Sequence, residues 1–482
     1  MKILHTSDWH LGQHFMGRTR QAEHKALIEW LLFQVQEHQI ELIILAGDVF
    51  DTGAPPSYAR ELFNELVILL NQLTCQLIVV AGNHDSVSML NESKNLLACL
   101  DVNVIAKTLP ESLSEHILPV KNKHGQLEAI VCAVPFIRPK DLVSSKSNQS
   151  ETDKKRDLLN QIQSFYFDIY EEALNLAKKT NQDQEWLDQQ DDGKRDDKNI
   201  EIQKSLFDLD VPIIGTGHLT TLGAKTSESV RDIYIGTLEA VPAQAFPPFD
   251  YLALGHIHRA QVVAGNDCQR YSGSPICLSF DELNRDKSMV LLDTQNMLNL
   301  GKFKPQLLPV PNFQAMKTIR GEIKDVLQEL KELVTQLSAA DDGKSVWLEV
   351  KVFTDAYLSD VQKHIQEVIQ GSLIDLLRVT RQVKTQVVDH SNQAKETLSE
   401  LSVEEVFDRC LAASTLGKLD QTESEETVST EITELKSIFT QCVSSMQESV
   451  IKDEEELAVS PPKHDNTLPN KQGTEVVGGA DA

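Results

Sequence analysis

Six short apolar runs occur in the first 300 residues, and five of them lead directly into residue types that bind metal ions. The five are Ile3-Leu4 before Asp8 and His10, Leu42 to Leu45 before Asp48, Leu77 to Val80 before Asn83 and His84, Val211 to Ile214 before His218, and Tyr251 to Leu254 before His256 and His258. Short apolar runs predict buried strands, and ligands in open α/β sheets bind beyond the carboxyl ends of the strands. The pattern therefore predicts an α/β fold with a metal site at one sheet edge. The sixth run, Ala129 to Val134, carries no such residue and predicts a framework strand.

Longer apolar stripes predict helices. One stripe runs from Ser57 to Leu70, with Ser57 as the predicted N-cap, and a second runs from Ser88 to Cys99. Residues 305–385 change character and predict a small αβαβ domain. Its elements are a helix from Ile319 to Leu337, a strand from Val346 to Val352, a helix from Leu358 to Gln370 and a closing segment from Ile374 to Val383.

The C-terminal part of the chain is polar and predicts an extension to the folded domains. An amphipathic helix is expected within Thr397 to Ala413, and its apolar face includes Leu401, Val406, Phe407 and Leu411. Residues 414–482 hold 14 Asp and Glu against 5 Lys and Arg, a composition typical of disorder. The predicted organisation is a main domain at 1–300 with a polar insertion at about 178–204, a small domain at 305–385, a linker and helix at 386–413, and an acidic, largely disordered tail at 414–482.

The residue types at the strand ends predict a centre for two transition-metal ions. Carboxylate, amide and imidazole ligands together suit Mn, Fe or Zn better than Ca²⁺, which prefers oxygen alone. A two-metal centre needs a bridging ligand, and Asp48 is the predicted bridge, because a carboxylate can span two ions. Asp8 and His10 would share the first ion with one of His256 and His258, whereas Asn83 and His218 would share the second ion with the other. These last two histidines would share one face of an extended strand.

Composition and charge argue against a membrane protein, a secreted protein and a chain that binds nucleic acid tightly by itself. No apolar stretch approaches the roughly 20 residues of a membrane span, and the chain enters its first strand at once, so neither a membrane nor a signal peptide is expected. Seven cysteines without C-x-x-C pairs predict reduced thiols in the cytoplasm. The net charge of −26 argues against tight binding of nucleic acid by this chain alone.

The spacing of these motifs resembles the calcineurin-like metallophosphoesterases. The matching motifs are Asp8-x-His10, Gly47-Asp48-x-x-Asp51, Gly82-Asn83-His84-Asp85, Gly217-His218-Leu219 and Gly255-His256-x-His258. Within that superfamily, residues 47–53, 217–221, 230–236 and 273–282 resemble the SbcD family, the nuclease subunits of bacterial SbcCD complexes. One place departs from many archaeal and eukaryotic relatives, which carry His where this chain has Asp51.

The resemblance implies a metallophosphoesterase β-sandwich flanked by helices, followed by a capping α+β domain. It implies a Mn²⁺-dependent 3′-to-5′ exonuclease and hairpin endonuclease with two divalent ions, acting in DNA repair, recombination and replication. His84 would act on the scissile phosphodiester, and Asp85 would orient it through the other ring nitrogen. The implied partners are DNA ends and hairpins, a second copy of the chain, and an SbcC ATPase gripped by Leu401, Val406, Phe407 and Leu411. An SbcC₂D₂-type assembly at the nucleoid is expected.

Several alternatives remain open at this stage. The chain would also suit a phosphoesterase that acts on nucleotides or phosphoproteins, or a scaffold that only docks the ATPase. The helices at 57–70 and 88–99 would form the dimer contact or simply pack on the sheet. Candidate phosphate contacts, each with an ordinary surface role as the alternative, are His14, Arg18, Arg378, Arg381 and Lys384.

Overall fold

A computed structural model describes residues 1–142, 150–191, 211–230, 240–340, 345–353 and 358–382. These residues belong to one compact unit, Met1–Lys384. The predicted ATPase-binding helix with Leu401, Val406, Phe407 and Leu411, the acidic tail, and Lys384 lie outside the described residues.

Strands and helices alternate through most of this unit. The strands are β1 (Lys2–Thr6), β2 (His14–Phe15), β3 (Arg18–Thr19), β4 (Leu42–Ala46), β5 (Gln76–Val80), β6 (Val102–Ile105), β7 (Ile117–Lys121), β8 (Leu127–Cys132), β9 (Ile213–His218), β10 (Tyr251–Gly255), β11 (Gln261–Val263), β12 (Asn266–Tyr271), β13 (Ser288–Asp293), β14 (Gln306–Pro309), β15 (Ala315–Glu322), β16 (Val346–Phe353) and β17 (Ile374–Gln382). The helices are α1 (Gln21–His38), α2 (Ser57–Gln72), α3 (Val87–Glu92), α4 (Lys94–Ala98), α5 (Pro139–Leu142), α6 (Glu151–Asp191), α7 (Thr294–Leu300), α8 (Ile323–Ala340) and α9 (Leu358–Ile369).

Two six-stranded sheets form the body of the fold. The first, called sheet 1, has the order β14-β13-β1-β4-β5-β6, and the second, sheet 2, has the order β11-β12-β10-β9-β8-β7. Strands β1, β4, β5 and β6 run parallel to one another, as do β8, β9, β10 and β12. All five strands that precede predicted ligands are therefore in parallel stretches, where the carboxyl ends of neighbours meet at one edge.

Alternation of side chains along the strands packs the two sheets face to face. In β4, Leu42, Ile44 and Ala46 join the core between the sheets, whereas Ile43 and Leu45 join the core beneath the helices. In β10, Tyr251 and Ala253 face the first of these cores in the same way. This period of two is what a strand buried on both faces requires. The predicted β-sandwich flanked by helices is confirmed.

Helix α6 covers the outer face of sheet 2, and it was not predicted from the sequence. Its buried residues Leu158, Ile162, Phe165, Tyr166 and Ile169 lie on one helical face and pack against the sheet. The helix continues to Asp191, so the first part of the polar run predicted as an insertion at 178–204 is helical, while residues 192–204 lie outside the described ranges.

Two further helix predictions need correction. The N-cap of α2 is Pro56, with extended backbone, and Ser57 is the first helical residue. The predicted helix from Ser88 to Cys99 is two short helices, α3 and α4, with Ser86 capping the first through its side chain.

A third sheet follows, with the order β15-β16-β17 and all strands parallel. The predicted start of a helix at Ile319 was wrong, because Ile319 lies within β15 and the helix begins at Ile323. The unit is βαβαβ, with α8 and α9 packed around a core that includes Leu330, Leu348 and Ile365.

This third sheet with its two helices, hereafter the cap, contacts the sandwich through aromatic side chains. Trp347 of the cap stacks on Phe15 with ring centroids 5.5 Å apart, and the guanidinium of Arg20 lies 5.2 Å from the Phe15 ring. Arg18 pairs with Asp375 of the cap at 2.6 Å. Within the described ranges, no helix is both long enough and apolar enough to cross a membrane.

Candidate metal centre

Five strand ends bring the seven predicted metal ligands and His84 to one edge of the sandwich. Sheet 1 supplies Asp8 and His10 after β1, Asp48 after β4, and Asn83 and His84 after β5; sheet 2 supplies His218 at the end of β9, and His256 and His258 after β10. Every one of these residues is buried except Asn83 and His84, which are partly exposed. The open side of the cluster is therefore at the Asn83–His84 loop.

Backbone hydrogen bonds tie the loops of sheet 1 together. The amide of Asp8 donates to the carbonyl oxygen of Gly47 at 3.0 Å, and the amide of His10 donates to that of Asp48 at 3.1 Å. Asp8, His10, Asp48 and His256 have positive φ angles of 55°, 47°, 51° and 92°. Such backbone is costly for non-glycine residues and clusters at functional sites.

Glycines allow the two sheets to approach each other at this edge. A Cβ on Gly255 would lie 1.8 Å from the carbonyl oxygen of Ala46, and one on Gly82 would lie 2.1 Å from Oδ1 of Asp48. A Cβ on Gly47 would lie 2.0 Å from Nδ1 of His218. The glycines beside the predicted ligands are thus required by close packing of the site itself.

Asp48 occupies the middle of the cluster. Its Oδ2 lies 3.2 Å from Nε2 of His218 and 3.6 Å from Nε2 of His10, while its Oδ1 accepts the backbone amide of His84 at 2.9 Å. One carboxylate thus faces histidines from both sheets, an arrangement that suits a bridging ligand.

The two histidines after β10 lie near different partners. Nε2 of His258 is 3.9 Å from Oδ1 of Asp8, and its ring lies 5.1 Å from that of His10. The ring of His256 lies 5.3 Å from that of His218, whose Nε2 is 3.0 Å from Oδ1 of Asn83. The geometry therefore groups His258 with Asp8 and His10, and His256 with Asn83 and His218. The expectation that both share one face of an extended strand was wrong, since β10 ends at Gly255 and His256 has left-handed backbone.

The ring nitrogen Nδ1 of several site histidines is held by an acceptor, which leaves Nε2 for the centre of the cluster. Nδ1 of His10 lies 3.1 Å from Oδ1 of Asp51, and Nδ1 of His218 lies 2.9 Å from the carbonyl oxygen of Ala46. Nδ1 of His258 lies 2.6 Å from Oγ of Ser229. Metal-binding histidines are commonly oriented in this way.

Asp85 does not make the predicted contact with His84. Its carboxylate accepts the backbone amides of Gly82, Val49 and Phe50 at 2.8, 3.2 and 3.1 Å. Nδ1 of His84 instead lies 2.7 Å from the carbonyl oxygen of Asp51. A buried carboxylate with three amide donors beside it holds the loops after β4 and β5 together, so the predicted orientation of His84 by a catalytic Asp85 was wrong.

Burial and charge shift the proton affinities of the cluster. Burial opposes ionisation of both Asp48 and His218, but each stabilises the charged form of the other. The pKa of Asp48 is therefore held well below its usual range, and that of His218 is raised to about 9. Burial, with His218 nearby, lowers the pKa of His256 to about 3. Burial and the charge of Asp48 raise the pKa of Asp85 to about 6.

The donor set fits divalent metal ions. Three groups each bring their ligand atoms within 4.8 Å of one another: Asp8, His10 and His258; His10, Asp48 and His84; and Asp8, Asp48 and His218. Among the described residues, Nε2 of His10 and Nε2 of His256 are buried without a hydrogen-bond partner. A buried polar atom without a partner costs about 1–3 kcal/mol, and coordination of an ion would remove that cost.

Three residues of the site were not singled out from the sequence as orienting groups. Asp51 holds His10 through its side chain and His84 through its carbonyl oxygen. Ser229 and Glu282 lie behind His258, and Glu282 is 1 % exposed. Asp51 and Glu282 both stand in the matched motifs, but only tertiary structure shows which histidine each one contacts.

The candidate phosphate contacts lie in different surroundings. Arg18 and Arg378 have acidic partners, Asp375 for the first, and Glu228 and Glu349 for the second. His14 is exposed in β2, opposite Thr19 of β3. A role in phosphate binding stays a prediction for these residues.

Models of two known families match two separate parts of the chain. A family model described as calcineurin-like phosphoesterase matches residues 1–260. A second, described as the type 5 capsule protein repressor C-terminal domain, matches residues 312–415. The first match includes every predicted metal ligand, and the second includes the cap.

Individual proteins give a closer likeness. The chain is 43% identical over 422 residues to the SbcD subunit of the SbcCD nuclease of Escherichia coli (strain K12), which covers 87% of this chain and 95% of that protein. It is 32% identical over 304 residues to the corresponding SbcD protein of Bacillus subtilis (strain 168), covering 61% and 66%. A solved dimetal phosphatase of Danio rerio aligns at 9% identity over 61% of this chain and 92% of that one, with a TM-score of 0.32, which is too low to carry an argument.

Proposed function

Because the chain belongs to the calcineurin-like phosphoesterases, and among them to the SbcD family of nuclease subunits, we propose that it cleaves DNA phosphodiesters as the nuclease subunit of an SbcCD-type complex. The proposal rests above all on one observation. Asp48 faces histidines of both sheets within 3.6 Å, in a cluster where two buried imidazole nitrogens, Nε2 of His10 and Nε2 of His256, have no hydrogen-bond partner in the described part of the chain.

We propose that two Mn²⁺ ions bind here, one at Asp8, His10 and His258 and the other at Asn83, His218 and His256, with Asp48 between them. Two such ions supply Lewis-acid polarisation of the phosphodiester and lower the pKa of water. The chain itself contributes fixed imidazole orientations through Asp51, the Ala46 carbonyl and Ser229. It also excludes solvent, since Asp8 and Asp48 are at most 1 % exposed.

His84 is proposed to act directly on the substrate. It lies at the partly exposed side of the cluster, and its Nδ1 is held by the Asp51 carbonyl, so Nδ1 carries the proton that it donates there. When the ring is charged, Nε2 also carries a proton, which it can share with the leaving oxygen in a hydrogen bond or transfer to it. The carbonyl of Asp51 stabilises the ring in both states.

Partners and polarity of cleavage are part of the same proposal. We propose 3′-to-5′ exonuclease and hairpin endonuclease activity at DNA ends, assisted by an SbcC ATPase that binds the helix predicted from the sequence within Thr397 to Ala413. We also propose a homodimer through α2, α3 and α4, which carry the exposed apolar residues Ile68 and Leu96. The net charge of −26 supports a need for the ATPase in DNA binding, because an acidic chain attracts the DNA backbone only weakly on its own.

The experiment that tests the proposal is cleavage of a linear duplex and of a hairpin in Mn²⁺, with and without SbcC and ATP. We expect cleavage that requires Mn²⁺ and His84 and increases with SbcC and ATP. The His84→Ala chain is the matched control, since it should keep its metal. Hydrolysis of a small phosphodiester without cleavage of DNA under any of these conditions would instead favour a phosphoesterase for nucleotides or phosphoproteins.

A further inference from the structure

Behind His258 lies a buried group of hydrogen bonds centred on the carboxylate of Glu282. Oε1 of Glu282 accepts the hydroxyls of Ser229 at 2.5 Å and Ser227 at 2.9 Å. Oε2 accepts Nζ of Lys287 at 2.6 Å and the amide of Leu278 at 3.0 Å. Glu282 itself is 1 % exposed. Burial of a carboxylate costs several kcal/mol in desolvation, which hydrogen bonds and ion pairs must offset. A group of partners this extensive around one buried carboxylate therefore suggests a specific role for Glu282.

The group reaches His258 from two directions. Ser229 Oγ is 2.6 Å from Nδ1 of His258 while it donates its own proton to Glu282. Because a hydroxyl has one proton, Ser229 can only accept from His258, and Nδ1 must therefore be the protonated nitrogen. Lys287, paired with Glu282, also donates to the carbonyl oxygen of His258 at 3.2 Å. Both the ring and the backbone of His258 are thus fixed.

We propose that Glu282 is a positioning residue for His258, acting through Ser229. By holding the hydroxyl of Ser229 as an acceptor, Glu282 fixes the tautomer of His258 that bears its proton on Nδ1, and the lone pair of Nε2 then faces Asp8. This inference rests on the proposed role of His258 as a metal ligand. It assigns Glu282 and Ser229 to one ion, the one shared with Asp8 and His10, and leaves the ion shared with Asn83 and His218 unaffected.

The test is Mn²⁺ binding to the full chain by titration calorimetry, combined with electron paramagnetic resonance. A pair of neighbouring Mn²⁺ ions gives an exchange-coupled spectrum, whereas a single ion gives six lines. We expect the wild-type chain to bind two ions. Glu282→Gln should bind one ion as before and the other about 10–100-fold more weakly, as for other residues that orient a ligand, with a six-line spectrum at low Mn²⁺.

A second set of variants avoids any loss of folding from removing a buried charge. Ser229→Ala leaves the pair of Glu282 and Lys287 intact but removes the hydroxyl that joins Glu282 to His258. Only the direct approach of Glu282 Oε1 to Nδ1 of His258, at 3.7 Å, then remains, and the same ion should bind more weakly. Ser229→Thr keeps the hydroxyl and should restore binding. Ser227→Ala is the matched control, because Ser227 donates to the same oxygen of Glu282, and none of its hydrogen bonds given by the structure involves His258.

The outcomes separate this inference from the proposed function. Two ions bound with unchanged affinity by both Glu282→Gln and Ser229→Ala would overturn the positioning role and leave the two-metal site standing. Equal weakening of both ions would also overturn it, since the role is assigned to one ion. A wild-type chain that bound no second Mn²⁺ would overturn the two-metal proposal, and the present inference with it.

Discussion

The two sheets contribute different halves of the candidate metal centre. Sheet 1 supplies every oxygen donor, from Asp8, Asp48 and Asn83, together with His10, and its loops are tied by backbone hydrogen bonds and by the carboxylate of Asp85. Sheet 2 supplies imidazoles alone, and those are held by side chains and by contacts with sheet 1. The loops of the oxygen half, in sheet 1, are thus joined to one another by several hydrogen bonds. In the imidazole half, in sheet 2, each histidine is held separately: His218 by the Ala46 carbonyl, His258 by Ser229, and His256 through its backbone amide.

This difference shows that the side chains of sheet 2 depend on sheet 1 for part of their positioning. His256 shows the dependence most clearly, since its backbone amide donates to both carboxylate oxygens of Asp8 at 3.0 and 3.1 Å. A proposed ligand from sheet 2 is therefore positioned by a proposed ligand from sheet 1. We expect damage to sheet 1 to disturb both ions, and damage behind a sheet 2 histidine to disturb one.

Removal of Asp48 should have the largest effect, because Asp48 joins the two halves. We expect Asp48→Ala to lose both ions and to cleave DNA no faster than the metal-free wild-type chain. Metal analysis of the purified variant and the Mn²⁺ titration check this. Normal occupancy by two ions in Asp48→Ala would show that the halves are not joined through this residue.

His84 belongs to neither half in its proposed role, and its removal should separate binding from cleavage. We expect His84→Ala to keep two Mn²⁺ ions while its rate of DNA cleavage falls by roughly 10²–10⁴-fold, the usual contribution of a general acid or base. Single-turnover cleavage at saturating Mn²⁺ measures the loss. Unchanged cleavage would remove His84 from the reaction.

Substitution of Asp85 tests how the loops of the oxygen half are held together, because its carboxylate accepts three backbone amides of those loops. Asp85→Asn replaces one acceptor oxygen by an NH₂ donor, and the amides of Val49 and Gly82 bond to one oxygen while that of Phe50 bonds to the other. At least one amide therefore loses its acceptor, and the free energy of unfolding of the metal-free chain should fall by about 1–3 kcal/mol. Urea unfolding measures this, and the exposed Asp267→Asn is the matched control. A variant as stable as the wild type would mean that the amides find other acceptors.

The imidazole half should make metal binding depend on pH. The pKa of His218 in the metal-free chain is about 9 against 6.5 in an ordinary histidine, so its stabilising charge is present below pH 6.5 and lost as the pH rises through 9. Metal binding requires the neutral ring. We therefore expect Mn²⁺ affinity to rise by up to about tenfold per pH unit between 7 and 9.

Calorimetry in two buffers of different ionisation enthalpy checks the pH prediction. It should show release of at least one proton for each chain that binds Mn²⁺ at pH 7.5. An affinity that is constant across this range, without proton release, would contradict the protonated state of His218.

The gathering of the candidate metal ligands at one sheet edge could be predicted from the sequence because it depends on local signals. Asp8, Asp48 and His218 each follow a short apolar run at a strand end, and parallel strands bring their carboxyl ends to one edge. Which of His256 and His258 lies near Asp8 and which near His218 could not be predicted, since the backbone of His256 adopts a left-handed conformation beyond the strand.

Other parts of the structure needed tertiary information or were missed. The apolar stripe of Leu158, Ile162 and Phe165 has helical spacing in the sequence. Helix α6 was missed because the long polar run that follows this stripe was interpreted as a solvated insertion. The strand β15 holds Lys317, Thr318 and Arg320, polar residues that do not resemble a buried strand, and a helix was predicted to start inside it. The contact of Glu282 with Ser229 spans 53 residues of chain and has no local signal.

The missing side chain of Gly255 has a mechanical consequence. The ideal Cβ position lies only 1.8 Å from the carbonyl oxygen of Ala46, so the gap between the sheets at this edge is limited by the van der Waals contact of two main chains. Main-chain atoms have no rotamers with which to yield. The two sheets can therefore separate at this edge, but they cannot move closer together.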